Sequence, residues 1–165
     1  MAIRPILTFP DPALRRPADR IADFGEATQE LAQDLLATMR AAPGIGITAP
    51  HVGVPLRLVV IEIEPSAPRF YINPEIEWSS GDLARREEGS VSMPGVSDEI
   101  ERPATIRVRY QDLAGNMLSE EASGLLATCL QHEIDQLDGM FWIFRLSRLK
   151  RERLIKRFEK LQRLG

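Results

Sequence analysis

Three stretches of the chain carry apolar residues at the spacing of an α-helix. The first runs from about Asp23 to Ala42 and is ended by Pro43-Gly44. The second runs from Ser123 to Leu137 and is followed by Asp138-Gly139, and the third runs from about Arg145 to Gly165. The sequence therefore predicts three amphipathic helices.

The middle of the chain has the patterns of β-strands. Leu56 to Ile63 is mostly apolar and β-branched, and Phe70 to Trp78 is a second extended stretch. Ile106 to Tyr110 alternates with period two, and the turn Leu113 to Asn116 separates it from Met117-Leu118, as in a hairpin. The predicted fold class is α+β, with short antiparallel strands around a central helix and further helices towards both ends, in one domain over 1–165.

Composition narrows the class of protein. The 165 residues are 44% hydrophobic and 27% charged, without repeats or low-complexity runs, which indicates one soluble globular domain. No apolar stretch is long enough to cross a bilayer, and the start of the chain lacks a signal-peptide pattern, so we expect a cytoplasmic protein. A single cysteine, Cys129, excludes an internal disulfide.

Charge is unevenly distributed along the chain. The net charge is −3, but Arg145 to Gly165 holds nine Lys or Arg residues against two glutamates, which gives +7 there and leaves −10 on the rest. Two interpretations are open: the basic residues are the solvated face of a packed helix, or they form a surface for RNA, a ribosome or another anionic partner. Nothing in the sequence indicates specific DNA binding.

One short motif carries candidate chemistry. Within Gln131 to Gln136 the order His132-Glu133 begins the H-E-x-x-H pattern, in which two histidines one helical turn apart bind one metal and the glutamate handles protons. The second histidine is replaced by Gln136, so the motif is H-E-x-x-H-like and incomplete.

Three separated segments together resemble the peptide deformylases, metal-dependent hydrolases that remove formyl groups from the initiating methionine of new bacterial chains. The family pattern G-x-G-x-A-A-x-Q corresponds to Gly44 to His51, E-G-C-x-S to Glu88 to Ser92, and H-E-x-x-H to His132 to Gln136. Asn73 to Ile76 and Arg102-Pro103 match as well. The resemblance implies a peptide-deformylase-like fold over nearly the whole chain and a place in protein biosynthesis.

The departures from the family pattern fall on the metal ligands. The family binds its metal through positions that correspond to Ser90, His132 and Gln136, of which only His132 keeps the family residue. A neutral serine and a glutamine carbonyl are poor substitutes for a thiolate and an imidazole. We therefore expect no tightly bound cofactor; if the protein is active, the resemblance implies a divalent metal such as iron(II), zinc or nickel.

The resemblance also implies roles for three further residues. His51 stands where the family has a glutamine that helps to hold the formyl oxygen. His51 is either a substitute metal ligand beside His132 or a polar group tolerated on a glycine-rich loop. Glu133 is the expected proton-transfer residue, and the N–H of Val91 is expected to donate to a carbonyl oxygen. Cys129, one helical turn before His132, is either a replacement ligand or a small buried hydrophobe.

A peptide-binding cleft is expected around these residues. Glycines permit close approach of a peptide backbone, and Glu88 is expected to pair with Arg102. The substrate-binding positions implied by the resemblance are Gly44, Ile45, Gly46, Glu88, Gly89, Arg102, Leu125, Thr128 and Cys129, with Ile45, Arg102, Leu125, Thr128 and Cys129 around the methionine side chain.

These observations lead to one expected function and several alternatives. The expected protein is a pseudoenzyme that binds formyl-Met or another N-terminal peptide with little or no deformylase activity. The main alternative is an active deformylase or related amide hydrolase with an unusual metal site. Ser90, His132 and Glu133 could also form a metal-free acyl-transfer set. Separately, the basic C-terminal helix could contact the ribosome.

Overall fold

The three predicted helices are present in the structure, a computed structural model that describes residues 1–165. Helix α1 spans Glu26–Ala41, α2 spans Gly124–Leu137 and α3 spans Arg148–Leu164. None of them combines the length and the apolar character that crossing a bilayer requires. The spacing of apolar residues thus located all three helices to within a few residues at either end.

Seven strands form two antiparallel sheets. The larger sheet has the order β1-β2-β3-β6-β7, and β4 pairs only with β5. The strands are β1 Gly46–Thr48, β2 Leu58–Ile61, β3 Arg69–Ser79, β4 Leu83–Ser90, β5 Met93–Pro103, β6 Thr105–Gln111 and β7 Met117–Ser123. The α+β fold class is therefore confirmed, and so is the predicted hairpin, which is formed by β6 and β7.

The hairpin formed by β4 and β5 was not predicted from the sequence. Strand β4 reads L-A-R-R-E-E-G-S, and of these residues only Glu88 is buried. Without apolar residues on alternate positions, such a strand lacks the period-two signal. Strand β4 is instead held by its antiparallel backbone pairing with β5, which runs from Leu83 to Ser90.

The larger sheet is covered on both faces. Val59 and Ile61 of β2 pack with residues of α2, such as Leu130 and Ile134, in one core cluster. The alternate β2 residues Leu58 and Val60 pack with α1 in a second cluster. Because successive side chains of a strand point to opposite faces, α2 and α1 lie on opposite sides of the sheet. Burial on both faces explains why β2 is continuously apolar.

A third core cluster anchors the β4–β5 hairpin. Met93, Val96 and Ile100 of β5 pack with Leu154 and Phe158 of α3. The same cluster includes Trp142, Leu14 and neighbours from the segment that precedes α3 and from the N-terminal part of the chain. Helix α3 thus holds the hairpin in place beside α2, and the motif that ends in Ser92 lies at the tip of this hairpin.

Candidate functional site

A cavity of about 450 Å³ lies between three parts of the fold. Its wall is formed by the segment 42–46 after α1, by the hairpin segment 87–96 and by one face of α2. The α2 residues are spaced three, four, seven and eight positions apart, which places them on one side of the helix. They are Leu125, Thr128, Cys129, His132 and Glu133.

The structure brings most of the sequence-predicted site residues together in this wall. They come from all three motifs, which are far apart in the chain. The predicted residues in the wall are Gly44, Ile45, Gly46, His51, Glu88, Gly89, Ser90, Val91, Leu125, Thr128, Cys129, His132 and Glu133.

Arg102 and Gln136 lie outside the cavity wall. The Arg102 guanidinium is buried in ion pairs with Glu88 and Asp135, and its expected place beside a methionine side chain stays a prediction. For Gln136 the reason is a hydrogen bond 2.7 Å long, in which its Nε2 donates to the backbone oxygen of Leu14. The carboxamide is thus held by the N-terminal part of the chain.

Two glycines of the first motif are needed for close packing. A Cβ on Gly44 would lie 2.8 Å from Cγ1 of Val91, and a Cβ on Gly46 would collide with the carboxyl group of Glu133. The absent side chain at Gly46 therefore provides the space that Glu133 occupies.

A buried ion-pair network supports His132 from behind. Arg102 donates from Nε and Nη2 to Glu88 at 2.7 and 2.9 Å, which confirms the expected pair, and from Nη1 to Asp135 at 2.8 Å. Arg145 completes the network with two hydrogen bonds to Asp135. Burial alone would raise the pKa of Glu88, but hydrogen bonds from His132 and Arg102 outweigh burial and hold that pKa below its ordinary value.

His132 is oriented by this network. Its Nδ1 lies 2.9 Å from Oε1 of Glu88. Because an ionised carboxylate only accepts hydrogen bonds, Nδ1 carries the hydrogen and Nε2 remains for the cavity side. Burial would lower the pKa of His132, but the carboxylates of Glu133 and Glu88 outweigh burial and raise it. The ring also stacks at 6.3 Å on that of Trp142.

Glu133 is buried, and one of its carboxyl oxygens lacks a hydrogen-bond partner. It is 4% exposed, and its Oε1 has no hydrogen-bond partner in the chain. Burial raises the pKa of Glu133 to about 7. A carboxyl group with such a pKa is able to take up and release a proton near neutral pH.

His51 lies in a short 3₁₀ turn, Ala49–Val52, and is 1% exposed. Its Nδ1 accepts a hydrogen bond from the backbone N–H of Thr48 at 2.9 Å and lies 2.9 Å from the Thr48 hydroxyl. Burial lowers the pKa of His51 to about 3, so the ring is neutral at physiological pH. Its Nε2 is buried without a partner.

The remaining candidate donors are individually weak metal ligands. Ser90 Oγ accepts a hydrogen bond from the N–H of Ser92 at 3.1 Å. Burial raises the pKa of Cys129 to about 12, so its side chain is a neutral thiol, as expected for a small buried hydrophobe. The structure has no group of three His, Cys, Asp or Glu side chains placed to hold a metal ion.

Sequence reasoning did not find Thr48 or the Asp135–Arg145 extension of the network. Thr48 precedes His51 by three positions, the spacing of a capping box, and this spacing was the available signal. The ion pairs of Asp135 had no signal in the sequence, because Arg102 lies on another element.

The sheet covered by helices, with three motifs gathered around one cavity, is the arrangement of a deformylase-type hydrolase fold. The family model for polypeptide deformylase matches residues 3–152, and the chain therefore belongs to this family.

Curated relatives include proteins of two kinds. A protein of Brucella melitensis named peptide deformylase-like is 63% identical over 99% of this chain and 100% of the relative. Brucella suis has a peptide deformylase-like protein with the same identity and coverage, and also a peptide deformylase that is 45% identical over 98% of this chain and 94% of the relative.

Solved structures agree with the family. The peptide deformylase of Legionella pneumophila superposes with a TM-score of 0.94 at 41% identity and covers 99% of this chain and 97% of its own. The peptide deformylase of Ehrlichia chaffeensis in complex with actinonin has a TM-score of 0.92 at 37% identity, with 99% of each chain covered.

Proposed function

We propose that this protein binds the N-terminal end of peptides in the cavity and has little or no metal-dependent deformylase activity. One observation carries the proposal: Gln136, at the position of a family metal ligand, is outside the cavity wall and bonded to the backbone oxygen of Leu14. A ligand set that lacks this position contains only His132 and the neutral Ser90.

The donor chemistry does not fit a tightly held divalent ion. Iron(II) and zinc are bound strongly by thiolate and imidazole, whereas a serine hydroxyl and a carboxamide oxygen are weaker donors. Changes in groups that only support a ligand already lower metal affinity about 10- to 100-fold. Two replaced ligands should therefore lower it much further, and no hydrolytic step through a metal is derived for these residues.

The cavity keeps features that suit an extended peptide. Gly44 and Gly46 allow close backbone approach, and the N–H of Val91 is not used by any turn, loop or side-chain hydrogen bond. Apolar groups on Ile45, Leu125 and Cys129 offer contact to an apolar first side chain. None of these features depends on Ser90 or Gln136.

The relatives support a separation of roles. Brucella suis has one relative named peptide deformylase-like and another named peptide deformylase, and this chain is more similar to the first. A deformylase-like protein beside a deformylase need not itself supply the activity.

The test is the metal content and the activity of one preparation. Protein purified anaerobically without a histidine tag is analysed by elemental mass spectrometry and assayed with a formyl-Met peptide. We expect far less than one equivalent of metal and no sustained turnover. The control is the double variant Ser90→Cys with Gln136→His, which restores the family ligands and should bind more metal. Stoichiometric metal with turnover in the unmodified protein would overturn the proposal.

A second candidate is a hydrolase with an unusual metal site, in which His132 and Glu133 still act. The unpartnered carboxyl oxygen of Glu133 beside His132 favours it. This candidate predicts a measurable amide hydrolysis that Glu133→Ala abolishes. Equal rates for the variant and the unmodified protein would exclude it.

A further proposed partner is the ribosome, through the basic face of α3. Only Leu154 and Phe158 of this helix are buried, so most of its Lys and Arg side chains face solvent. Such a surface suits a polyanion, with binding that weakens as salt rises.

A further inference from the structure

We propose that residues 7–9 form an N-terminal strap that ties together two sides of the cavity, residues 42–52 and the tip of the β4–β5 hairpin. The cavity widens when the Leu7 N–H releases the backbone carbonyl of His51. None of the strap residues lines the cavity. The inference goes beyond the proposed function, because it holds for any ligand that enters between these two sides.

The two sides of the cavity belong to separate parts of the fold. Residues 42–52 flank β1 at the edge of the larger sheet, whereas the β4–β5 hairpin forms a sheet of its own. No hydrogen bond or ion pair joins residues 42–52 directly to the hairpin. The direct contact is apolar: Val91 of the hairpin tip packs against the core cluster of Ile47 and lies close to Gly44. Apolar contact is not directional, so it does not fix the distance between the two sides.

The strap supplies hydrogen bonds to both sides. The N–H of Leu7 donates to the backbone oxygen of His51 at 2.8 Å, and the N–H of Phe9 donates to that of Ser92 in the hairpin tip, also at 2.8 Å. Two residues of extended chain span at most about 7 Å, so these two carbonyl oxygens stay within about 13 Å of each other while both bonds hold. The strap therefore limits how far the two sides can separate.

Side-chain packing indicates which of the two bonds opens. The ring of Phe9 stacks on that of Phe141 at 5.5 Å, in the core cluster that also holds the hairpin. The side chain of Leu7 packs against the same cluster, whereas Ile6 packs against the cluster of the opposite side. The boundary between the two parts thus falls between Ile6 and Leu7, and the bond from Leu7 to His51 crosses it. Opening breaks this bond and leaves that of Phe9 intact.

The single cysteine provides a probe of this opening. Cys129 lines the cavity but is 7% exposed, and its buried thiol is neutral. Because the thiolate is the reactive form, a small neutral maleimide should alkylate Cys129 only when the two sides separate and water reaches the thiol. The alkylation rate of the unmodified protein is measured by mass spectrometry under native conditions, and the exchange of the Leu7 amide hydrogen is measured by NMR.

We expect both measurements to give the same opening equilibrium within about threefold, with little dependence on urea at low concentration, since a local opening exposes little surface. Unequal values would overturn the inference, because either the cavity opens with the strap bond intact or the bond breaks without opening the cavity. A steep dependence on urea would also overturn it, because Cys129 would then react from the unfolded chain.

Replacing one backbone amide by an ester tests the strap bond directly. An ester at Leu7 removes the N–H and keeps the side chain, so Cys129 should react about tenfold faster than in the unmodified protein. The matched control is an ester at Thr8, whose N–H makes no hydrogen bond and whose side chain is exposed. Equal alkylation rates for the two esters would contradict the proposal. If the Leu7 ester does not fold, the comparison within the unmodified protein still decides.

Discussion

Replacing Arg102 by methionine should strongly destabilise the fold. The side chains of Arg102 and Glu88 are 6% and 3% exposed, and two hydrogen bonds join them. Methionine has a similar length but leaves the Glu88 carboxylate buried with His132 as its remaining partner. Removing one partner of a buried ion pair costs about 3–5 kcal/mol in the free energy of unfolding.

The assay is urea denaturation at neutral pH, with a thermal scan beside it. For a chain of this length, that loss corresponds to a decrease in Tm of about 6–20 °C. The control is Arg145→Met, which breaks the pair with Asp135 at a guanidinium that is 47% exposed. Solvent screening should limit the effect of the control to about 1 kcal/mol or less.

The effect of Arg102→Met should also depend on pH with a definite sign. The pKa of Glu88 is lowered in the folded protein, so the pair stabilises the fold above the ordinary value of 4.5 and loses its effect as pH falls through the folded pKa. The difference between variant and unmodified protein should therefore shrink in acid. A difference below about 1 kcal/mol at neutral pH would refute the reasoning.

Three further predictions concern other parts of the molecule. Burial lowers the pKa of His51 from 6.5 to about 3, so between these values the unfolded chain binds a proton that the folded chain excludes, and stability rises with pH. His51→Gln should reduce this dependence by up to about 1.4 kcal/mol per pH unit in urea denaturation, and an unchanged slope would contradict the assignment. Gly46→Ala should cost about 1–3 kcal/mol and weaken peptide binding, because the new Cβ displaces Glu133; Gly81→Ala, whose Cβ meets open space, should cost little. Neutralising the basic face of α3 should abolish salt-dependent co-sedimentation with ribosomes, whereas neutralising Arg107 and Arg109 on the sheet should not; unchanged pelleting would refute the contact. The α3 residues to change are Arg148, Lys150, Arg151, Arg153, Lys156 and Arg157.

Much of the fold was predictable because periodic apolar residues decide it. Helices α1, α2 and α3 and strands β2, β3 and β6 have their own pattern and were located from it. Strand β4 lacks one, since its order comes from pairing with β5 and from the packing of β5 on α3. Neither contact leaves a periodic pattern of apolar residues in β4 itself.

The candidate site was predictable as a set of residues but not as a set of hydrogen bonds. Helical spacing puts His132 and Gln136 on one face of α2, and their types alone cannot show that Gln136 donates to Leu14. The hydrogen on His51 likewise depends on the backbone N–H of Thr48. Both bonds join groups whose approach becomes visible only in the three-dimensional structure.

The structure separates groups that the fold requires from groups that only a ligand explains. The pair of Arg102 and Glu88 is needed for stability, because either partner alone would be a buried charge, so its presence says little about activity. His51 Nε2 and Glu133 Oε1 are different, since each is a buried polar atom without a hydrogen-bond partner in the chain. Both residues belong to the cavity wall, where solvent or a ligand supplies the missing partner. These two atoms, rather than the ion pairs behind them, are therefore what supports the proposal of a ligand in the cavity.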